Sequence, residues 1–422
     1  MSTAEAAARL GVKPATLYAY VSRGLLGRER SSDGRTSTFD PAEIGRLARP
    51  GRARRGRRPA TDLVVPSALT AIDQGRPWYR GVAVTDLAAT RTFEEVAEWL
   101  WTGQFPPPVA APSATAPSAG PGGRASWQAA GAALDAGRRA QAALPATALP
   151  LERIRVIAAA LAAGDELRLE LRPAAVTAAA RSLIAGLVDC LPQPGQTSWV
   201  SPAERPAPGA GSIAGRLWGG LSTLDPEPDL VGVLDAALVL LADHELAAST
   251  VAARVAASVR ADPYAVVSAG LATVSGTLHG GASLGIEALL DEIDRPERAA
   301  TVVGARLRRG ERLRGFGHRL YPDGDPRAGF LLTRLRATAA GSPRMAVVDA
   351  LLEATTRRGL PEPNVDLALA ALAHVTAMTR GAAEAIFAVA RTAGWIAHAL
   401  EEYDRNTPIR PRAVYTGPAP GS

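Results

Sequence analysis

The chain has 422 residues, of which 47% are hydrophobic and 21% are charged, a composition that describes a globular protein with a large core rather than a disordered chain. Its single cysteine, Cys190, excludes both a disulfide framework and a cysteine-rich zinc site. No apolar run is long and charge-free enough to span a bilayer, and the N-terminus lacks the pattern of a secretory signal, so we expect a cytoplasmic protein with no membrane partner.

Positive charge is concentrated at the N-terminus. Residues 1–60 hold 13 basic and 5 acidic side chains, a balance of +8, whereas the whole chain carries +6 and the remainder therefore −2. Local charge of this kind points to a nucleic-acid contact in one module. Since the length also suggests more than one domain, we expect a small basic domain ahead of a nearly neutral body.

Residues 1–50 have the pattern of a compact helical unit. Ser2 and Glu5 have the spacing of a capping box, and Pro14 suits the first turn of a second helix. Residues 28–39 contain a Ser-Asp-Gly turn between short extended pieces, which is typical of a hairpin or wing. This order predicts a winged helix-turn-helix that binds DNA, and AARLGVKPATLYAYVSRGLL resembles that of MerR-type regulators. The alternative is a protein–protein docking module.

The candidate DNA-contacting residues of this unit are Lys13, Thr16, Tyr18, Arg23, Arg28 and Arg35. The Gly- and Arg-rich segment at residues 51–60 is interpreted as a basic linker that either lies along phosphates or serves as a solvated tether.

A second domain is expected to begin at residue 61. Turn signals near Ile72 suggest a short hairpin, and the segment from Phe93 to Trp101 is predicted to be a helix with Thr92 as its cap. Residues 105–124 are low in complexity and predict an exposed, mobile loop. Beyond this loop almost everything has helical periodicity, so the body is predicted to be all-α.

His279 lies in the sequence Gly-Thr-Leu-His-Gly-Gly-Ala, between a predicted helix that ends near Ser275 and another that begins near Ala282. Two glycines after a histidine allow a tight turn and the close approach of a ligand to the backbone. The positive end of a helix dipole disfavours a cationic imidazole. A neutral imidazole can donate a hydrogen bond to a carbonyl without giving up its proton.

His318 lies in the loop RGFGHRLYPDGDPR, which glycine and proline shape and in which Arg314, Arg319 and Arg327 supply positive charge. Arginine binds carboxylates through two parallel hydrogen bonds. This loop therefore predicts an anionic, oxygen-rich substrate.

Asp366 begins an apolar helix directly after Pro-Asn-Val. A carboxylate there has few solvating partners, which would raise its pKa and suit it as a general base, although a helix cap is the alternative. Arg391 lies inside another apolar helix, where a buried guanidinium needs an anionic partner.

The other histidines carry weaker signals. His374 and His398 lie within predicted helices and are interpreted as structural. His244 is followed by Glu245, but no second histidine stands at the spacing of a zinc-binding HExxH motif, and we expect no metal site.

Taken together, these motifs resemble those of citrate synthases. LADHELAAST, LHGGA, GFGHRLYPDGDPRA, PNVD, FAVARTAGWIAH and RPRAVYTG occur in the order and at the separations of that family, and YRGVAVTDLA with TFEEVAEWLWTG resembles the start of its large domain. The resemblance runs from about Val64 to Gly417 and is weak only between residues 104 and 205.

The resemblance implies that Asp366 takes a methyl proton from acetyl-CoA, that His279 stabilises the resulting enol through the thioester carbonyl, and that His318 polarises the oxaloacetate carbonyl. Water then hydrolyses citryl-CoA to citrate and CoA, with acetyl-CoA as a substrate and no bound cofactor. The implied substrate-binding residues are His244, Arg327, Arg391 and Arg410 of the partner subunit for oxaloacetate, and Gly315, Phe316 and Gly317 for CoA.

The family fold is all-α and dimeric. The resemblance implies a large domain at residues 61–279, a small domain at 280–376 that closes on the substrate, and a return to the large domain at 377–422. Closure excludes water, so that the enol meets oxaloacetate first.

Departures from the family pattern concern the pocket walls. Ala247 and Ser283 each stand where asparagine is frequent, and residues 367–369 are apolar where an aromatic residue and small polar residues are common. The sequence therefore leaves open a 2-methylcitrate synthase that uses propionyl-CoA. It also leaves open a transcriptional regulator whose synthase body senses CoA esters or oxoacids.

Overall fold

The computed structural model describes residues 1–10, 17, 21, 26–27, 29–30, 37–41, 44, 65–105, 127–194, 211–413 and 415–417. The chain divides into two compact units, Met1–Val65 and Pro66–Ser422. The six candidate DNA-contacting residues, the linker at residues 51–60 and residues 106–124 of the low-complexity segment lie outside the described residues.

The first unit begins with helix α1 (Thr3–Leu10). Its predicted capping box is confirmed, because the Glu5 amide donates to Ser2 Oγ at 3.3 Å and the Ser2 amide donates to Glu5 Oε2 at 2.9 Å. The predicted hairpin is also confirmed as the antiparallel pair β1 (Glu29–Arg30) and β2 (Ser37–Thr38). These elements surround a small apolar core of five buried residues: Ala6, Leu17, Leu26, Phe39 and Ile44.

A three-stranded antiparallel sheet opens the second unit. Its strands, which pair in chain order, are β3 (Thr70–Asp73), β4 (Arg76–Tyr79) and β5 (Val82–Ala83). Gln74 and Gly75 form the two-residue turn of the first hairpin, with φ angles of 46° and 72° that suit a left-handed turn. The hairpin expected near Ile72 is therefore confirmed, and a third strand extends it.

Helices dominate the rest of the second unit, as predicted. In chain order they are α2 (Val84–Thr90), α3 (Phe93–Thr102), α4 (Gly131–Ala142), α5 (Pro150–Ala163), α6 (Pro173–Asp189), α7 (Ile213–Leu221), α8 (Pro228–Leu241), α9 (Ala248–Ser258), α10 (Pro263–Val274), α11 (Ala282–Ile293), a short 3₁₀ helix (Pro296–Arg298), α12 (Ala299–Arg308), α13 (Pro326–Thr338), α14 (Pro343–Thr356), α15 (Val365–Val375) and α16 (Ala382–Arg405).

The start of α3 shows how local sequence sets a helix boundary. Thr92 Oγ1 accepts a hydrogen bond from the Glu95 amide, and Glu95 Oε2 accepts one from the Thr92 amide, so the predicted cap is confirmed. Gly103 ends the helix in the left-handed conformation, with φ of 73°.

Helix α16 is the central element of the second unit. It has 24 residues, and all of those from Ala382 to Ala399 are buried. It packs against helices α3, α5, α6, α8, α9, α10 and α15. A residue on α16 is therefore held in place from several sides, which suits a helix that carries a functional arginine. Among the described residues, no helix combines the length and the apolar composition that crossing a bilayer requires.

Candidate active site

Five segments contribute the candidate residues of the body other than Arg410. They are the turn after α8, the α10–α11 loop, the α12–α13 loop with the first turn of α13, the first turn of α15, and α16. In the second unit of the chain the loops therefore bring together side chains that lie far apart in sequence.

His244 and His318 meet around a tyrosine. His244 Nε2 lies 2.8 Å from the hydroxyl of Tyr321, and the His318 ring stacks on the Tyr321 ring with centroids 4.8 Å apart. The two histidine rings are perpendicular, with centroids 5.6 Å apart. The sequence pattern does not single out Tyr321, and its signal is its place in the same Gly- and Pro-shaped loop as His318.

Both of these imidazoles are kept neutral by their surroundings. Burial and then the charge of Arg327 lower the pKa of His318, and the same two causes hold the pKa of His244 well below its usual value. The Leu320 amide donates to His318 Nδ1 at 3.2 Å, so the proton of the neutral ring lies on Nε2. His318 can therefore donate a hydrogen bond from Nε2.

Arg327 is fixed by Asp325. Two guanidinium nitrogens of Arg327 donate to the two carboxylate oxygens of Asp325, at 3.0 and 2.8 Å, and the Val365 amide donates to the same carboxylate at 3.1 Å. This ion pair is buried, and Asp325 outweighs the effect of burial, so the pKa of Arg327 is raised. Asp325 thus ties the arginine to the helix start that carries Asp366.

Arg391 has an unsatisfied guanidinium. Its Nε donates to the Leu241 carbonyl at 2.8 Å, and the group lies over the Phe387 ring at 4.7 Å. Nη1 is buried without a hydrogen-bond partner among the described residues, and burial lowers the pKa of the group. A buried, unpaired cation of this kind is costly unless an anion binds it. This agrees with the sequence-based expectation of an anionic partner.

His279 also contacts the Phe387 ring. Its ring meets the Phe387 ring edge-on at 5.7 Å, and Nε2 lies 2.8 Å from Ser249 Oγ. Burial and then the charge of Arg391 lower the pKa of His279 to about 4. This lowered pKa agrees with the neutral imidazole expected from the sequence, and burial and the Arg391 guanidinium are its causes.

The glycines after His279 serve the packing of the chain. A Cβ on Gly280 would lie 2.7 Å from the Val274 carbonyl oxygen, and one on Gly281 would lie 3.2 Å from Thr277 Cα. At both glycines the chain therefore packs closely against another part of the backbone, which a side chain would obstruct. The predicted helix boundaries on either side, at Ser275 and Ala282, are confirmed.

Asp366 occupies the first turn of α15 without capping it. Asn364 Oδ1 accepts hydrogen bonds from the amides of Asp366 and Leu367, at 3.1 and 3.4 Å, and is the cap. Burial raises the pKa of Asp366 to about 6, against the opposing charges of Arg327, Arg314 and Arg391. The carboxylate therefore does not cap the helix, and its pKa is high for an aspartate, as expected.

Gly315, Phe316 and Gly317 tie the histidine loop to the start of α15. The Gly317 amide donates to the Glu362 carbonyl at 2.7 Å, and the Asn364 amide donates to the Gly315 carbonyl at 2.9 Å. Both glycines have left-handed φ angles, 89° and 75°, and Phe316 is buried. A contact of these residues with CoA stays a prediction.

Arg410 lies apart from this arrangement. It is exposed in the C-terminal segment, and no hydrogen bond or ion pair within the described ranges joins it to the residues above. The described residues also contain no group of three or more His, Cys, Asp or Glu side chains that could hold a metal ion.

The arrangement supplies the parts of proton abstraction next to a carbonyl. Asp366 is a base with a raised pKa, and His279 and His318 are neutral donors that can stabilise negative charge on oxygen. Arg327 and Arg391 are buried cations suited to the carboxylates of a small dianion.

Comparison with known proteins agrees with this chemistry. A family model described as "Citrate synthase, C-terminal domain" matches residues 61–412, and one described as "MerR HTH family regulatory protein" matches residues 1–55. A solved structure of citrate synthase from Thermoplasma acidophilum, in ternary complex with carboxymethyl coenzyme A and oxaloacetate, aligns with a TM-score of 0.65 and 25% identity over 85% of this chain and 95% of that one.

Several curated relatives are named citrate synthase. Citrate synthase 2 of Bacillus subtilis is 41% identical over 46% of this chain, which spans only 53% of that relative. Citrate synthase of Acidithiobacillus ferridurans is 30% identical over 83% of the chain and 92% of the relative, and 2-methylcitrate synthase 1 of Corynebacterium glutamicum is 28% identical over 80% and 88%. The chain belongs to the citrate synthase family.

Proposed function

We propose that the protein condenses acetyl-CoA with oxaloacetate and water to give citrate and CoA. The observation that carries this proposal is a set of three half-buried groups, Asp366 with a pKa of about 6 and the neutral imidazoles of His279 and His318, together with the buried cations of Arg327 and Arg391. Base, donors and anion-binding groups are the parts that a carbon–carbon condensation through an enol requires.

The first step forms the enol. Asp366 removes a proton from the methyl carbon of acetyl-CoA, and His279 donates a hydrogen bond to the thioester oxygen. We assign the Ser249 hydroxyl, 2.8 Å from His279 Nε2, as the donor to that nitrogen, which leaves the ring proton on Nδ1 for the thioester oxygen. A neutral donor suits this step, since it can stabilise the negative charge on the thioester oxygen through a hydrogen bond and keep its own proton.

The second step joins the two substrates. The enol carbon attacks the carbonyl carbon of oxaloacetate, and the new alkoxide is protonated through Nε2 of His318, which carries the ring proton because Nδ1 accepts from the Leu320 amide. The proton that Asp366 took from the methyl group replaces it, so that both side chains return to their starting states. Water then cleaves the thioester of citryl-CoA to citrate and CoA. Arg327, Arg391 and His244 hold the oxaloacetate carboxylates, with Gly315, Phe316 and Gly317 along the CoA.

An exchange of Ser249 for alanine tests the orientation of His279. We expect the S249A variant to lose about tenfold in kcat with little change in either KM, because the imidazole keeps its place but not its fixed tautomer. Steady-state CoA release measures this. A variant with wild-type kcat would contradict the assigned donor role of Nδ1.

The acyl preference is the finer part of this proposal. Ala247, Ser283 and residues 367–369 alter the pocket walls, and a relative named 2-methylcitrate synthase lies at similar identity, so propionyl-CoA is the second candidate substrate. One methylene discriminates by only about 10- to 200-fold. We measure CoA release with oxaloacetate and each acyl-CoA, and expect the larger kcat/KM with acetyl-CoA. A larger value with propionyl-CoA would name a 2-methylcitrate synthase instead.

The protein is also proposed to act as a homodimer. Helices α9 and α10 pack against each other and carry no charged residue other than buried Arg254. Val255 within α9 and Val259 directly after it are 40% and 63% exposed. An uncharged, apolar surface of this kind suits a symmetric contact. In the dimer, exposed Arg410 would complete the partner's site.

Complementation between two inactive variants tests that exchange. Asp366→Asn and Arg410→Ala chains, co-expressed with different tags, form a heterodimer in which one site has both residues. We expect each homodimer to be nearly inactive and the purified heterodimer to show about half the wild-type rate. A heterodimer as inactive as its parents would mean that Arg410 acts within its own subunit or not at all.

A second candidate function is regulation through DNA. The +8 charge balance of residues 1–60 and the match to a MerR regulator model support it. A dimeric body would present two such units to two half-sites about 34–36 Å apart. We expect a palindromic promoter fragment to bind with an affinity that falls steeply as salt rises, and no binding at low salt would refute this role. A folded chain that binds CoA, releases none and binds this DNA would be a sensor.

The division of the body follows the same proposal. Residues 280–376 would form the small domain that closes over the substrates, with residues 61–279 and 377–422 as the large domain. Closure would exclude water until the new carbon–carbon bond has formed.

A further inference from the structure

A row of buried ionisable side chains begins at Asp243, directly before His244 in the chain, and the proposed mechanism does not use it. Asp243, Arg254, His398 and Glu402 are each no more than 1% exposed. Burying charged groups is costly unless each is paired and hydrogen-bonded. We therefore expect the members of such a row to be fully hydrogen-bonded or to have a functional role.

Hydrogen bonds define the direction of this row. Arg254 Nε donates to Glu402 Oε1 at 2.5 Å, and Arg254 Nη1 lies 2.5 Å from His398 Nδ1. A guanidinium only donates, so Nδ1 of His398 is the acceptor and Nε2 carries the ring proton. That nitrogen donates to Oδ2 of Asp243 at 3.3 Å and lies 3.2 Å from Oδ1.

Asp243 is held on its other sides as well. The Thr70 hydroxyl donates to Asp243 Oδ2 at 2.5 Å, and the Tyr79 hydroxyl donates to the Asp243 carbonyl at 2.8 Å while accepting from the Asp243 amide at 3.0 Å. Side chain and backbone of this residue are therefore both fixed, and His244 follows it directly.

The same turn is pinned to the helix that carries Arg391. The Gly394 amide, three residues after Arg391, donates to the Ala242 carbonyl at 2.9 Å. A Cβ on Gly394 would lie 2.5 Å from Asp243 Oδ1, so only glycine allows this approach. The turn before His244 and the face of α16 that presents Arg391 are thus one packed unit.

Charge connects these residues too. Asp243 Oδ1 and Arg391 Nη1 are both buried without a hydrogen-bond partner among the described residues, and each charge acts on the pKa of the other group. Burial alone would raise the pKa of Asp243, but His398, Arg391 and Thr70 together bring it below the usual value. The carboxylate is an ionised counter-charge to the arginine that lacks an anion.

We propose that Asp243, oriented by His398 and Arg254, is a positioning residue for the oxoacid end of the site. It holds His244 and Arg391 in the geometry that receives a dicarboxylate before the substrate arrives. This inference rests on the proposed function for the identity of the substrate, oxaloacetate. It reinterprets His398, which the sequence pattern marks as merely structural.

The positioning role predicts a selective effect on one substrate. His398→Leu removes the donor to Asp243, so we expect the KM for oxaloacetate to rise about tenfold while the KM for acetyl-CoA stays within about twofold. His398→Gln offers an amide oxygen to Arg254 and an amide N–H to Asp243. This variant should restore the oxaloacetate KM to within about threefold of the wild-type value. His374→Leu, at a helix histidine outside the row, is the matched control and should change neither KM.

Direct binding of oxaloacetate, measured by calorimetry, separates this inference from the proposed function. A wild-type chain that binds oxaloacetate but releases no CoA would overturn the function, while the His398 variants would still test the positioning through affinity. A wild-type chain that neither binds nor turns over would overturn both.

Two results would overturn the positioning role itself. The first is an equal rise of both KM values in His398→Leu, and the second is a lower unfolding temperature with an unchanged oxaloacetate KM, which marks a structural residue. Should His398→Leu fail to fold, Thr70→Val removes only the hydroxyl bound to Asp243. That variant should raise the oxaloacetate KM about three- to fivefold, and an unchanged KM there would refute the proposal equally.

Discussion

An Asp366→Asn chain should bind both substrates and lose turnover by about a thousandfold, the effect expected for removal of a general base. Asparagine keeps the size of the side chain, and the first turn of α15 keeps its cap, because Asn364 rather than Asp366 accepts the amide hydrogen bonds. The loss should therefore appear in kcat, with each KM close to the wild-type value. Steady-state CoA release checks this.

Stability should change in the opposite direction from activity. The pKa of Asp366 is about 6 in the fold against an ordinary value of 3.8, so its stabilising contribution is present below pH 3.8 and is lost as pH rises through 6. At pH 8 the wild-type chain holds a half-buried, unfavourable charge that the asparagine variant lacks. The variant should therefore unfold at a higher temperature than the wild type at pH 8, with a smaller difference at pH 5.

The pH profile of the wild-type enzyme reports on the same carboxyl. Because the base must be ionised, kcat/KM should rise as pH increases through about 6 and then level off. His279 has a pKa of about 4 and is neutral throughout this range. A profile that is flat from pH 5 to 8, or an asparagine variant that retains turnover, would mean that another group removes the proton.

Local signals in the sequence predict the parts of this protein that depend on near neighbours. The cap at Thr92, the capping box of Ser2 and Glu5 and the helix boundaries around His279 all follow from residues within one or two turns. The raised pKa of Asp366 follows in the same way, since an apolar helix start offers a carboxylate few partners.

Partners that are distant in sequence could not be predicted in this way. His244 meets Tyr321 across 77 residues, and Asp243 meets His398 across 155. Only the packing of distant helices such as α8, α9 and α15 against α16 decides which polar groups face each other. The sequence thus identifies the groups proposed to carry the chemistry better than the groups that hydrogen-bond to them.

An Arg391→Gln chain should bind oxaloacetate about 100-fold more weakly. The buried Nη1 of Arg391 has no hydrogen-bond partner among the described residues and can donate a charge-assisted hydrogen bond to a substrate carboxylate, which glutamine cannot replace. The measurement needs no turnover. Oxaloacetate at 100 times its wild-type Kd stabilises the wild-type fold by about 2.7 kcal/mol, and the same concentration should stabilise the variant by only about 0.4 kcal/mol. The thermal shift caused by oxaloacetate should therefore almost vanish.

The reason for so large an effect is that Nη1 of Arg391 is buried and has no hydrogen-bond partner among the described residues when the substrate is absent. Its other contacts, to the Leu241 carbonyl and the Phe387 ring, are made without substrate and do not change on binding. Arg336→Gln is the matched control, since Arg336 is an exposed arginine paired with Asp349 at the surface, where such pairs contribute little. A thermal shift in Arg391→Gln as large as in this control would show that the dianion binds elsewhere. An equal loss of affinity for acyl-CoA would show that Arg391 organises the whole site rather than the oxoacid end.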